Sequence, residues 1–407
     1  MPDDSPSATP HWTTRLLHSD ARAEEGFRSL ATPVFRGSTT LFPNAAAVSD
    51  DWRHEAGYTY GLYGTPTTRE LAARLAALEG GTHTFLTPGG QAAIALIALT
   101  FLSAGDHVLV PDSAYGPTRQ LADDVLRRFG IEVTYYPPLA GADVAALLRP
   151  NTRLVWCESP GSVTMEVQDV PAIAEAAHRR GAVVALDNTY SAGVYFDAFA
   201  RGVDVTMQAL TKYVGGHSDL LLGSVTVRTA EAYERLGVVH DRLGMAVSPD
   251  DCSLALRGLQ TLGVRLAALE RGAVHVARWL AGRPAVARVL HPALPSCPGH
   301  DVWRRDFTGS TSVFAVAFAE GTTRDAVRAF VDALELFGIG YSWGGVHSLV
   351  VPFFALARTH GTPYGDRLVR LNVGLEDPDD LVADLDQALR RAGLENALPE
   401  PIGRTTR

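Results

Sequence analysis

Asp204-Val-Thr-Met-Gln-Ala-Leu-Thr-Lys-Tyr-Val-Gly-Gly-His-Ser-Asp219 places a lone lysine, Lys212, behind a short apolar run, with the Thr211 hydroxyl before it and a Gly-Gly-His-Ser turn after it. The opening of that run reads as a strand, because its branched and apolar side chains suit a pleated surface and show no helical spacing. Upstream, Val183-Val-Ala-Leu-Asp187-Asn-Thr189 repeats the pattern and ends in an acid 25 residues before the lysine. A strand that is apolar at successive positions is covered on both faces, as strands of a parallel sheet are. An acid and an amine therefore stand at the ends of neighbouring strands. The alternative, a surface lysine in a loop, leaves the rest of the chain unexplained.

The alternation continues outward. His107-Val-Leu-Val110, Glu132-Val-Thr-Tyr-Tyr136, Arg153-Leu-Val-Trp156 and Ala182-Val-Val-Ala-Leu186 are strand patterns, with helical segments such as Val170 to Arg180, closed by Gly181, between them. Strands joined by helical crossovers give a mostly parallel sheet with helices on both faces, an α/β fold. Ligands of such sheets bind beyond the carboxyl ends of the strands. Thr67-Thr-Arg-Glu70 reads as a capping box opening a helix that carries Leu71, Leu75 and Leu78 on one face. Residues from about 10 to 64 lack periodicity and include the aromatic-rich Tyr58-Thr-Tyr-Gly-Leu-Tyr-Gly64, the composition of an arm that packs on something else. Past Arg257-Gly258 the character changes to one long helix, Leu259 to Leu280, then a strand at Ser312–Phe318 and helices at Arg324–Leu336 and Pro378–Ala392. That tail reads as a smaller α+β unit.

The 407 residues carry a net charge of −9, with acids scattered rather than gathered in a tail, which gives no support to nucleic-acid binding. No apolar stretch reaches the length of a membrane span. Met1-Pro-Asp-Asp-Ser-Pro-Ser has neither a basic start nor an apolar stretch and reads as a disordered lead-in rather than a secretory signal. Cys157, Cys252 and Cys297 lie far apart, which suits a reducing cytoplasm and suggests neither a disulfide framework nor a metal site. Cys157, inside an apolar strand pattern, reads as a core residue.

Three further stretches carry chemistry. Glu79 to Ile94 contains a strand, a Gly89-Gly90-Gln91 turn and an apolar helix start. Glycines there expose backbone N–H groups at a positive helix end, a cradle for phosphate, although such a turn on its own is usually only a turn. Tyr115, in Pro111-Asp-Ser-Ala-Tyr-Gly-Pro117, follows a strand and is placed either to stack on an aromatic cofactor and relay protons or to sit in a rim turn. Arg370 lies in the apolar Leu368-Val-Arg-Leu-Asn-Val-Gly374 and needs an anion, either a substrate carboxylate or an internal acid. Gly340-Tyr-Ser342-Trp343-Gly-Gly345 is a glycine-flanked loop able to close over a substrate. Lysine, acid, phosphate cradle and stacking tyrosine are the parts of a pyridoxal phosphate (PLP) site, the lysine as Schiff-base amine and the acid on the pyridine nitrogen.

Together these stretches resemble the cystathionine β-lyase branch of the Cys/Met metabolism PLP-dependent enzymes, of the aspartate-aminotransferase fold type. The marks are Tyr60-Gly-Leu-Tyr-Gly-Thr65, Glu158-Ser-Pro-Gly-Ser-Val-Thr-Met-Glu166, Asp187-Asn-Thr189, Thr211-Lys-Tyr213 with Gly216-His-Ser-Asp219, His291-Pro-Ala-Leu-Pro295, Arg305-Asp-Phe-Thr-Gly-Ser310, Tyr341-Ser-Trp-Gly-Gly345 and Arg370 with Gly374-Leu-Glu-Asp377. Glu-Ser-Pro-Gly-Ser favours the β-lyases, since the γ-synthase and γ-lyase branches usually carry Asn-Pro after the same turn. The resemblance implies PLP-dependent transferase fold type I: a mostly parallel seven-stranded central sheet with helices on both faces and a smaller α+β C-terminal domain. It implies an arm over 1–64 contacting a neighbouring subunit, a PLP-binding large domain over 65–258 and a small domain over 259–407, in a cytoplasmic homotetramer built of active-site-sharing dimers. Lys212 would be the Schiff-base lysine and proton shuttle, and Asp187 would hold the pyridine nitrogen. Tyr115 would stack on the ring. Gly90, Gln91 and Thr211 would hold the phosphate with Tyr60 of a neighbour. Ser342, Trp343 and Arg370 would bind the substrate. No metal and no nucleic acid is implied.

The implied reaction is β-elimination from cystathionine or a related S-substituted cysteine, giving a thiol, pyruvate and ammonia. The alternatives are γ-replacement or γ-elimination in the same family, and a catalytically weakened homologue with a binding role. Three positions depart from the family pattern. Leu62 stands where a phosphate-binding arginine is usual, Gln120 where an acid meets a distal substrate amine, and Asp241 where a partner tyrosine lines the pocket. The catalytic half is retained and the distal pocket altered. Leu62→Arg is expected to tighten PLP by about 1.5–3 kcal/mol, the range for a charge-assisted contact. PLP dissociation constants of wild type and variant check this, and an unchanged constant means that the charge is already supplied or that the segment has moved.

Overall fold

A computed structural model describes residues 11–17, 29–354, 356, 358–361 and 364–394. The N-terminal lead-in lies outside these. The alternating apolar runs form a seven-stranded sheet of β1 (His83–Thr87), β2 (His107–Pro111), β3 (Glu132–Tyr136), β4 (Thr152–Glu158), β5 (Val183–Asp187), β6 (Val205–Ala209) and β7 (Gly223–Val227), in the order β1-β7-β6-β5-β4-β2-β3. Neighbours from β6 to β3 are parallel, and β7 alone runs antiparallel to both of its partners. Strand periodicity explains the two-sided burial. Val108, Leu154, Trp156 and Ala185 pack on one face with the helix Gly90–Phe101, while Leu109, Val155, Cys157, Val184 and Leu186 pack on the other with Val170–His178.

A second sheet follows, with β8 (Val286–Leu290), β9 (Val313–Phe318), β10 (Gly338–Ile339), β11 (Leu349–Phe353) and β12 (Leu368–Asn372) in the order β10-β11-β12-β9-β8. Its face is covered by the helices Arg324–Asp332 and Pro378–Arg391 through Phe330, Val331, Leu381 and Leu385. The helix expected from Leu259 begins ten residues earlier. It runs Pro249–Ala281, capped by Ser248, with proline and two aspartates in its first turn. Those start signals carry its beginning ahead of the boundary expected at 258. The earlier capping box also differs. Thr65, not Thr67, caps the helix Pro66–Glu79, and Thr68 returns the bond to the Thr65 N–H, while Glu70 pairs with Arg74 along the helix. Among the described residues no helix is long and apolar enough to cross a membrane.

The long helix crosses from one sheet to the other and presses on the chain just past Lys212. At Gly258 a Cβ would come 2.0 Å from the Val214 carbonyl oxygen and 2.9 Å from that of Gly215. Alanine in a helix interior normally gains about 0.5–1 kcal/mol over glycine. Here the clash wins, because the obstacle is backbone. Gly258→Ala is expected to destabilise the fold by about 1–3 kcal/mol, read as a lowered urea midpoint at unchanged m; a raised midpoint would contradict the close packing.

Candidate active site

The carboxyl ends of β1, β2, β4, β5 and β6 open on one cavity of about 440 Å³. Each strand delivers what its terminal sequence carries. β1 leads into Gly89 and Gly90 at the start of a helix, and the turn after β2 delivers Tyr115. β4 and β5 end in Glu158 and Asp187, which are register partners on adjacent parallel strands. β6 leads to Thr211 and Lys212, and β12 brings Arg370 from the second sheet. Gln91 and Trp343 also line the space. Ser342 lies beside it, in left-handed backbone at φ +78°, a conformation a non-glycine residue adopts only when its surroundings impose it.

Ser342 is a junction. Its hydroxyl accepts from Lys212 Nζ at 2.8 Å and its carbonyl accepts from Arg370 Nη2 at 3.1 Å. Trp343 places its ring centroid 5.5 Å from the same Nζ. Burial first, and then the nearby Arg370 charge, bring the Lys212 amine down to about 8, against a smaller upward pull from Asp187. Burial also lowers the Arg370 guanidinium to about 10. Asp187 is pushed up by burial, partly offset by bonds from Thr189, whose N–H reaches Oδ1 at 3.0 Å. Glu158 is raised well above the carboxylate range by burial and by the charge of Asp187. Its Oε2 accepts the Tyr115 N–H at 2.7 Å.

Eight of the residues singled out from sequence line the one cavity: Gly90, Gln91, Tyr115, Asp187, Thr211, Lys212, Trp343 and Arg370. Ser342 joins them by its bond to Lys212. Tyr60 does not; it is 48% exposed on the arm, beside Tyr63 and bridged to Thr39. Gln120 is exposed at the end of the short helix Gly116–Gln120, away from the cavity lining. Asp241 pairs with Arg242 and the Tyr63 hydroxyl. Leu62 lines a separate hollow of about 50 Å³. Arg69, also on that hollow, spends its guanidinium on the arm's own carbonyls at His54 and Gly57. Glu158, Gly161, Ser162, Val163, Met165, Thr189 and Tyr190 were not singled out as site residues, yet they line the cavity. Glu158 carries the same signal as Asp187, an acid closing an apolar strand.

Comparison with known proteins agrees with this geometry. The sequence model of the Cys/Met metabolism PLP-dependent enzymes matches residues 13–390. A putative cystathionine beta-lyase of Rhizobium johnstonii is 48% identical over 385 residues, covering 93% of this chain and 96% of that protein. The cystathionine beta-lyase of Bordetella avium is 44% identical over 398 residues, covering 95% and 100%. A solved structure of metB from Corynebacterium glutamicum superposes with a TM-score of 0.87 at 30% identity, covering 94% and 98%. A lysine, a buried acid and a helix-end cradle at the carboxyl edge of a fold type I sheet define a PLP-dependent enzyme. The chain belongs to the Cys/Met metabolism PLP-dependent enzyme family.

The side chains present fit that cofactor. A Cβ at Gly90 would lie 2.7 Å from Ala209 Cβ, so the cradle at the helix start stays open only as glycine. Asp187 is buried with no ion pair among the described residues, which suits a ring nitrogen that brings its own positive charge. Lys212 is the only lysine in 407 residues. Only the neutral amine attacks a carbonyl, so PLP capture by the apoenzyme is expected to rise with pH through about 8, the value to which burial brings Lys212, rather than through the range of an exposed lysine. Stopped-flow absorbance across pH checks this. Arg370→Met should move the midpoint upward, because it removes a like charge.

Proposed function

We propose that the chain is a carbon–sulfur β-lyase acting on cystathionine or a related S-substituted cysteine, releasing a thiol, pyruvate and ammonia. The observation that carries this is the Ser342 junction, where one residue holds an amine of depressed basicity and the Nη2 of a buried arginine. Bound PLP supplies an electron sink for the carbanion at the substrate α-carbon. Arg370 takes the substrate carboxylate with its fork, which fixes the α-carbon toward Lys212. Ser342 holds the amine on that side. Lys212 Nζ, its basicity lowered by burial and by the Arg370 charge, takes the α-proton. Departure of the β-thiolate leaves a three-carbon enamine, which water converts to pyruvate and ammonia. Asp187 would pair its carboxylate with the ring nitrogen, and Tyr115, whose backbone N–H is anchored on Glu158, would stack on the ring. Gly90, Gln91 and Thr211 hold the phosphate, and Trp343 walls the substrate side.

Glu158-Ser-Pro-Gly-Ser162 supports the β-reaction over the γ-reactions. The exposed arm supports sharing of sites between copies, with Tyr60 reaching a neighbour's phosphate in a homotetramer. Leu41 is 90% exposed there, an apolar side chain in need of cover. Cytoplasmic residence fits the three buried free thiols.

Pyruvate release from a panel of thioethers tests the reading; 2-oxobutyrate or a new thioether as product would assign a γ-reaction instead. Lys212→Ala is expected to cut turnover by about a thousandfold or more with an intact fold, and an active variant would overturn the site. Where assembly brings Gln120 and Asp241 to the distal end of the substrate, the neutral amide is expected to give S-alkylcysteines specificity constants comparable to cystathionine's. A cystathionine preference of about a hundredfold, beyond one hydrogen bond's worth, would contradict that.

A further inference from the structure

The loop after β4 lines the cavity in a conformation that its residues do not choose. Val163 has φ +68° and Met165 φ +57°, and a β-branched residue in left-handed backbone is an outlier that its surroundings must enforce. Besides bonds within the loop and to Ser113 and Cys297, one long side chain reaches it from the other sheet's connection. Arg358, in the connection from β11 to β12, donates Nη2 to the Ser162 carbonyl at 3.1 Å and to the Thr164 hydroxyl. Its Nη1 donates to the Asp112 carbonyl.

Asp112 answers in kind. Its carboxylate, 2% exposed, accepts the Thr359 N–H at 2.8 Å on Oδ1 and the His360 N–H at 2.7 Å on Oδ2, and it pairs with Arg119 at 2.5 Å. Side chain binds backbone in both directions. Among the described residues Arg358 has no carboxylate partner, so its bonds all go to the oxygens it holds in place.

We propose that Asp112 and Arg358 form a reciprocal clamp between the two sheets that holds the Val163–Met165 wall of the substrate pocket and thereby sets which sulfur substituents the site favours. Neither residue lines the cavity; both are positioning residues acting through the loop. The cofactor and carboxylate groups are accounted for by other residues, and the wall left for the substituent includes Val163 and Met165. Released, these two relax toward negative φ, and a long substituent loses apolar contacts that a methyl group never made. The clamp rests on the lyase reading of the cavity.

The test uses holoenzyme and the variants Arg358→Met, Arg358→Lys and Asp112→Asn. For Arg358→Met, kcat/KM for cystathionine is expected to fall by about tenfold or more, the scale of lost apolar pocket contacts, mostly through KM. S-methylcysteine should change by less than about threefold, as for a substitution remote from what it touches. Arg358→Lys should fall between wild type and Arg358→Met, and Asp112→Asn should shift the ratio in the same direction. Equal losses for both substrates, or none, would overturn the clamp. Dissociation constants of the two amino acids, read from the cofactor's absorbance, give the same ratio without turnover. If wild type releases no pyruvate from either, the lyase reading fails, while the binding ratio still decides the clamp.

Discussion

Lys212, Asp187, Glu158 and Arg370 share one cavity, and among the described residues none is within ion-pair distance of an opposite charge. That imbalance governs the site. Withdrawing charge from water is costly, so each group shifts toward its neutral form, the amine downward and the two acids upward. The sheets and helices are the means of sustaining this arrangement. A parallel sheet covered on both faces gives dry strand ends, and the second sheet closes the remaining side by way of Ser342 and Arg370. A ligand that brings a pyridinium, a phosphate and a carboxylate completes the charges that the protein leaves unmatched.

Glu158 and Asp187 divide the labour between two chemically similar side chains. They stand opposite each other at the ends of β4 and β5. Two buried carboxyls this close cannot both ionise cheaply. Glu158 is pushed upward by burial and by the Asp187 charge, and it gives its oxygen to the Tyr115 backbone, a bond that needs no charge. Asp187 is the one that Lys212 pulls back down. Neighbouring positions in one register thus provide a neutral anchor and an ionisable partner for a cation.

Much of this was legible in the residues. Runs that are apolar at every position identify strands buried on both faces, and the chemistry at their carboxyl ends then follows from topology. Lys212, Asp187 and Tyr115 follow from this pattern, Arg370 from being a charge inside an apolar run, and the four meet in space. Boundaries were less legible because competing caps are chemically alike. Thr65 and Thr67 both suit a helix start, and only the backbone decides that Thr65 takes the role. The long helix was begun late because its first turn is polar, although Ser248, Pro249 and two aspartates announce it. Gln120 and Asp241 lie away from the cavity in the single chain, so their place in substrate recognition depends on assembly rather than on local pattern. The clamp was invisible because Arg358 and Asp112 are 246 residues apart and share no periodic signal.

The composition of basic residues has a practical side. Of the 36 lysines and arginines, one is a lysine, and it lies in the cavity. Guanidinium groups are far weaker nucleophiles than amines, so the surface keeps its positive charge while presenting no competing ε-amine to aldehydes. Lysine enriched in ¹⁵N would give a protein with a single labelled side chain, an isotopic reporter confined to the reacting atom. The chain can therefore be followed spectroscopically at its centre without the assignment problem that a protein with many lysines imposes.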